Sequence, residues 1–178
     1  DYTEENNKRS QNHWILPARL PALLMPEEDK YTAATEVRLA IPEDQLEHIK
    51  TILPTAKREL IPDICLYPAD EFDLIDTIEE LREDVIRTTP MPLLAIEILS
   101  PNDKIPDATR KIRVLLLMGV KSCWLVSPDF KTITVYSNSD AKLYDLRVDR
   151  ELIDNVVGIK LPMQKIFATR QKNNSAGC

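Results

Sequence analysis

Glycine is scarce in this chain, three among 178 residues. They stand at 119, 158 and 177, too far apart to form a G-x-G-x-x-G turn or a Walker A loop, so the nucleotide folds that cradle phosphate on glycine backbone are disfavoured. No apolar run reaches the roughly 20 residues needed to cross a bilayer, and the polar start, Asp1 to Gln11, lacks a secretory pattern. The absence of an initiating Met points to a trimmed or incomplete N-terminus, and a soluble, cytoplasmic protein is expected. Histidine is also rare: His13 and His48 are the only two, and neither is spaced with a cysteine as a zinc site would require. The three cysteines, Cys65, Cys123 and Cys178, are an odd set without paired spacing and fit reduced thiols. No Ser-His-Asp or Cys-His arrangement supports nucleophilic catalysis, and Cys65 is expected as a small buried hydrophobe.

What is present is charge and apolar strand. The formal charge is −6, yet residues 63 to 84 hold nine acids and one base, a local −8, which leaves the remainder at −6 + 8 = +2. Bulk acidity therefore does not decide the partner. With 43% apolar and 29% charged residues the composition fits one globular domain, expected over 1–172, with a loose tail at 173–178.

The hydrophobic pattern gives an element order. A helical stripe over His13 to Met25 is interrupted by Pro17 and Pro21, so a short or broken helix is expected there. Tyr31 to Ile41 alternates as one half-buried strand, and Glu43 to Ile52 follows as an amphipathic helix. Leu60 opens a strand that carries Asp63. Asp70 to Ile86 has helical spacing through the acidic stretch. Leu93 to Leu99 is an apolar strand interrupted only by Glu97. A helix from about Pro106 to Met118 has proline in its first turn and Gly119 as its stop. Cys123–Ser127 and Thr132–Ser137 form a hairpin around Pro128-Asp129-Phe130-Lys131, and strand-like pieces follow at 142–148 and 156–161.

The two strand carboxylates carry the chemistry. An isolated carboxylate in a sheet pays several kcal/mol of desolvation or takes up a proton, so it calls for a partner, a cavity or a metal. On neighbouring strands ~4.8 Å apart, Asp63 and Glu97 could converge on a hard cation, Mg²⁺ or Mn²⁺, which retains waters and activates one of them. Lys111 on the next helix is the natural third member, with Asp107 one turn before it to orient it. Each has a plainer reading. Asp63 after Pro62 could close a turn or pair with Arg38, and Asp107 with Lys111 could be an ordinary exposed i, i+4 pair worth ~0.3 to 0.5 kcal/mol. Trp14 and Trp124 could stack on bases, although Leu125 and Val126 make Trp124 a core candidate.

Ile61-Pro62-Asp63-Ile64-Cys65-Leu66-Tyr67-Pro68, Ile96-Glu97-Ile98-Leu99-Ser100-Pro101, Asp107 through Lys111 and Gly119-Val120-Lys121-Ser122-Cys123-Trp124-Leu125-Val126 keep an order and spacing that resembles the bacterial putative restriction endonuclease family, a PD-(D/E)XK nuclease-like domain. The likeness covers roughly residues 30 to 137. It implies an α/β (α+β) fold with a restriction-endonuclease-like core, a mixed central β-sheet flanked by helices. It also implies Mg²⁺ (or Mn²⁺) held by Asp63, Glu97 and the backbone carbonyl of Ile98, with Asp63, Glu97 and Lys111 catalytic. Glu36 is the nearest candidate for a further upstream acid. DNA is the implied substrate, a homodimer the implied assembly for cutting two strands, and no membrane is involved. The sequence departs from the pattern in three places. Leu99 stands where the superfamily lysine is usual, which moves that role to Lys111 or removes it; Leu115 stands in place of a common Tyr, and Ser127 in place of a common Asp. The alternative these departures keep open is a weakly active or inactive nuclease-fold module for binding or assembly.

Overall fold

The computed structural model describes residues 11–24, 29–71 and 90–168. The elements are α1 (Gln11–Leu24), β1 (Tyr31–Thr35), β2 (Leu39–Ala40), α2 (Glu43–Ile52), β3 (Glu59–Leu60), β4 (Ile64–Pro68), β5 (Leu94–Ile98), α3 (Ile105–Leu117), β6 (Ser122–Ser127), β7 (Thr132–Ser137), β8 (Ala141–Asp145), β9 (Glu151–Asp154), β10 (Ile159–Pro162) and α4 (Met163–Ile166). A six-stranded sheet has the order β1-β4-β5-β6-β7-β8, and β2 with β3 and β9 with β10 form two-stranded ribbons. Only β5 and β6 run parallel, joined by the α3 crossover; the other neighbours in the sheet are antiparallel. This is the mixed sheet with flanking helices that the sequence implied.

Strand parity divides the core. Ile64 and Leu66, Leu94, Ile96 and Ile98, and Trp124 and Val126 pack into one cluster with α1, the β9 and β10 ribbon and α4. Cys65 and Tyr67, Ala95 and Cys123 point the other way, into a second cluster with α2 and α3. Successive side chains of a strand face opposite sides, so β4 and β5 are apolar on both faces because each face has its own layer to bury. Cys65 and Cys123 are buried free thiols, and burial pushes Cys65 up to about 12, which makes it an inert hydrophobe.

Two expectations are corrected. The segment from Tyr31 to Ile41 is not one strand: Glu36 takes a left-handed backbone with φ of 57°, which ends β1 and sends β2 out of the main sheet to pair with β3. The helix at the start is not broken, since α1 runs for 14 residues with Pro17 and Pro21 inside it. Leu16, Leu20 and Leu24 are buried at i, i+4 spacing. At roughly 2 kcal/mol per buried leucine against about 3 kcal/mol per interior proline, packing is level with the local penalty. Arg19 adds two hydrogen bonds from Nη1 to the carbonyls of Ile166 and Ala168, at 3.0 and 2.7 Å, which tie α1 to the end of α4. The helix expected over the acidic stretch lies almost wholly outside the described residues, as do the tail and the side chains of His13 and Trp14. Strand β9 had no sequence expectation. Among the described residues no helix is long and apolar enough to cross a membrane.

Asp154, at the end of β9, fastens the outer ribbon to the sheet. Its Oδ2 accepts hydrogen bonds from Ser122 Oγ at 2.5 Å and Trp124 Nε1 at 2.7 Å, and Oδ1 accepts from the Val156 N–H at 3.0 Å. Trp124 is fully buried and therefore core, so it offers no face to a base. Asp154→Ala strands the buried indole and hydroxyl donors, and we expect it to lower the unfolding free energy by about 3 kcal/mol in urea titrations. A loss within error of zero would show that the ribbon does not depend on this carboxylate.

Candidate active site

Glu97 has odd parity in β5, so it shares the face of Ala95 and points toward α3. The antiparallel register of β4 with β5, Ile64 against Ile96 and Cys65 against Ala95, extends by one step to set Asp63 opposite Glu97. Asp63 is not carried on a strand as expected: it stands at a bend just before β4, and its Oδ2 accepts a hydrogen bond of 2.7 Å from the Ile98 N–H. That contact fixes the carboxylate at the C-terminal end of β5 and disposes of the Arg38 alternative. Arg38 instead pairs with Glu59, Nη1 to Oε1 at 2.6 Å.

Helix α3 supplies the cation. Ile112, Val114 and Leu115 form its buried face, and Lys111 sits on the edge of that face, four residues before Leu115. Its Nζ donates to Glu97 Oε2 at 2.8 Å and to the Ile61 carbonyl at 2.7 Å. Glu97 Oε1 also lies 2.7 Å from Nζ, but out of line for a hydrogen bond, so this buried oxygen has charge attraction and no donor. Two of the three N–H bonds of the ammonium are therefore used, and one remains.

These groups form the foot of a cleft of about 750 Å³. One wall runs from the end of α2 to β3, and the other from Ser100 into α3. Asp107 lines the cleft but pairs with Arg110, Oδ1 to Nη1 at 2.7 Å, so it does not orient Lys111. Glu36 is exposed beyond the end of β1 and is not among the lining residues. Two acids without a sequence expectation are there instead. Asp103 belongs to a turn in which its Oδ2 accepts from the Ser100 N–H at 2.7 Å and its own N–H donates to the Ser100 carbonyl at 3.0 Å. Glu59 enters because β3 pairs with β2. The Ser-Pro-Asn-Asp run signals the first; the second depends on a tertiary pairing of two-residue strands that no local pattern marks.

The donor set bears on which cation could be held. Among the described residues no group of three or more His, Cys, Asp or Glu is arranged to hold a metal. Asp63 and Glu97 are the two lining carboxylates at the end of β5, and Ile98 lines the cleft beside them. Two carboxylates and a carbonyl suit a hard ion that keeps several waters and do not suit a closed zinc site. Glu97 Oε1 is buried and accepts no hydrogen bond among the described residues.

Burial pushes the Glu97 carboxyl up to about 7; Lys111 pulls it down by charge and hydrogen bond, while Asp63 and Asp103 push it up. The folded state therefore keeps a proton that the unfolded chain has released above its ordinary value of 4.5. Stability from this group is complete below about pH 4.5, falls as pH rises through the window to about 7, and is level above it. Urea titrations from about pH 5 to 8 are expected to show this decline in the native protein and a flatter profile in Glu97→Gln; parallel profiles would refute the raised value.

Comparison with known proteins now bears on this geometry. The family model described as Uma2, putative restriction endonuclease, matches residues 9–164. A crystal structure of a putative nuclease belonging to DUF820, from Anabaena variabilis, matches with a TM-score of 0.64 and 20% sequence identity, over 91% of this chain and 81% of that one. At that identity the likeness establishes a shared fold. No curated protein matches the sequence significantly. The matched span takes in Asp63, Glu97 and Lys111 together with both walls of the cleft, and the chain belongs to the Uma2 family of putative restriction endonucleases.

Proposed function

We propose that this protein is a Mg²⁺-dependent endonuclease (Mn²⁺ serving equally) that hydrolyses phosphodiester bonds in DNA. The observation that carries the reading is the meeting of Lys111 Nζ with the buried Glu97 carboxylate, at the foot of a cleft that Asp63 also lines. A lysine taken from α3 makes good the Leu99 departure from the usual strand position. Asp63, Glu97 and the Ile98 carbonyl would hold the ion, which would supply Lewis acidity and a water of lowered pKa. Glu97 would have to be ionised to hold such an ion, so binding would be coupled to loss of the proton that burial favours. The remaining N–H of Lys111 holds the attacking water or an oxygen of the scissile phosphate, where charge develops in the transition state. The Ile61 carbonyl is a second acceptor for the ammonium and would hold Lys111 in place if Glu97 turned to an ion. Cutting both strands of a duplex requires two such sites, so the reading includes a homodimer.

Purified protein is expected to nick supercoiled plasmid with Mg²⁺ or Mn²⁺ and to stop when the ion is chelated. Asp63→Ala and Glu97→Ala should each abolish nicking, and Lys111→Ala should slow it about 10²-fold or more, with the fold intact by circular dichroism. Nicking that survives both carboxylate substitutions would overturn the assignment. No nicking by the native protein, with DNA still bound, would favour the binding module.

A further inference from the structure

The cleft has a charge pattern that the catalytic reading leaves unused. Each acid lining it already has a neighbour: Glu59 has Arg38, Asp107 has Arg110, Glu97 has Lys111, and Asp63 and Asp103 accept backbone N–H groups. Two cations in the lining do not. Lys57, between α2 and β3 on one wall, and Lys104, the N-cap of α3 on the other, are both exposed, and neither ammonium meets a carboxylate among the described residues. In a chain with a formal charge of −6 and 29 Asp and Glu against 23 Lys and Arg, two lysines without a carboxylate partner among the described residues, one from each lining segment of the cleft, are a specific placement. Asp63 and Glu97 line the same cleft.

The rest of the lining narrows what such a pair would touch. No aromatic side chain faces the cleft among the described residues, so it offers no platform on which a base could stack. Without stacking, and with cations on both sides, the chemistry suits the sugar-phosphate backbone and not the base edges. Lys57 and Lys104 come from two separate segments of the chain that line the cleft together with Asp63 and Glu97, so a strand laid in it would meet cations from both segments.

We infer that Lys57 and Lys104 bind the phosphates flanking the scissile one, forming a two-sided backbone clamp that seats a nucleic-acid strand without reading its sequence. The clamp rests on the nuclease reading and adds to it the mode of substrate recognition. Phosphate contacts release condensed counterions, so each one contributes about 0.9 to the slope of log affinity against log salt for a duplex and about 0.7 for a single strand. Specificity for a base sequence, where it exists, then resides outside this cleft.

The test is fluorescence anisotropy of labelled DNA oligonucleotides of two unrelated sequences, in duplex and single-stranded form, across a salt series. Calcium replaces magnesium so that binding is read without cleavage. Lys57→Gln and Lys104→Gln should each weaken binding and flatten the salt slope by about one unit, the double variant by about two, and equally for both sequences. Lys57→Arg and Lys104→Arg should keep the native slope, and Lys142→Gln, on β8 away from the cleft, should match the native protein. Because both residues are exposed, thermal melts should be unchanged. Native-like slopes in the glutamine variants, or a loss confined to one sequence, would overturn the clamp while leaving the nuclease reading standing. Failure of the native protein to bind any of the oligonucleotides would overturn both.

Discussion

The burial of Glu97 is the constraint on which the site depends. Its residue is 9% exposed in a strand whose other members are all buried, so the carboxyl loses most of its hydration. Desolvation is the largest influence on its titration, and the Lys111 ammonium opposes it without reversing it. A strand that holds an acid at this cost needs a compensating cation, and α3 delivers one at 2.8 Å. Replacing a whole buried ion pair by apolar residues is often neutral or stabilising, whereas removing one partner leaves the other charge uncompensated, so Glu97 and Lys111 depend on each other.

From that position the geometry of the fold explains the rest of the cleft. Alternation along β4 and β5 sorts the apolar residues into two clusters and leaves Asp63 and Glu97 on the side of α3. The parallel pairing of β5 with β6 requires a crossover, and α3 is that crossover, so the helix bearing Lys111 necessarily returns over the strand bearing Glu97. The turn from Ser100 to Asp103 tightens the connection and brings Lys104 to the mouth of the cleft. The two-stranded ribbon of β2 and β3, displaced from the main sheet after Glu36, forms the opposite wall and carries Lys57 close by. The left-handed residue that defeats the simple strand reading is thus part of what shapes the cleft.

Much of this was legible in the chain. The uninterrupted apolar run around Glu97, the Pro-Asp pair before β4, and a helix opening with proline and closing at Gly119, whose φ is +109°, are local signals with local causes. The convergence of Asp63, Glu97 and Lys111 followed from placing those signals on neighbouring elements. What escaped depends on distant partners. Glu36 sits in an alternating pattern indistinguishable from a strand, because its φ is set by where β2 must go. Glu59 enters the cleft only through the pairing of β2 with β3, and Asp107 turned to Arg110 because the two are i, i+3 neighbours on the exposed face. The β9 strand and its Asp154 had too short a pattern to register, although Asp154 secures Trp124. The prolines of α1 show packing and the Arg19 hydrogen bonds offsetting a strong local preference.

The central claim is that Asp63 and Glu97 hold a hard divalent ion beside Lys111. Anomalous scattering from a crystal soaked in Mn²⁺ tests it most directly. The account predicts one dominant peak at the foot of the cleft, within coordination reach of a carboxylate oxygen of each acid, with Lys111 Nζ drawn off Glu97 and still bound to the Ile61 carbonyl. A cleft without anomalous density at saturating Mn²⁺, and the Lys111 to Glu97 ion pair intact, would contradict it.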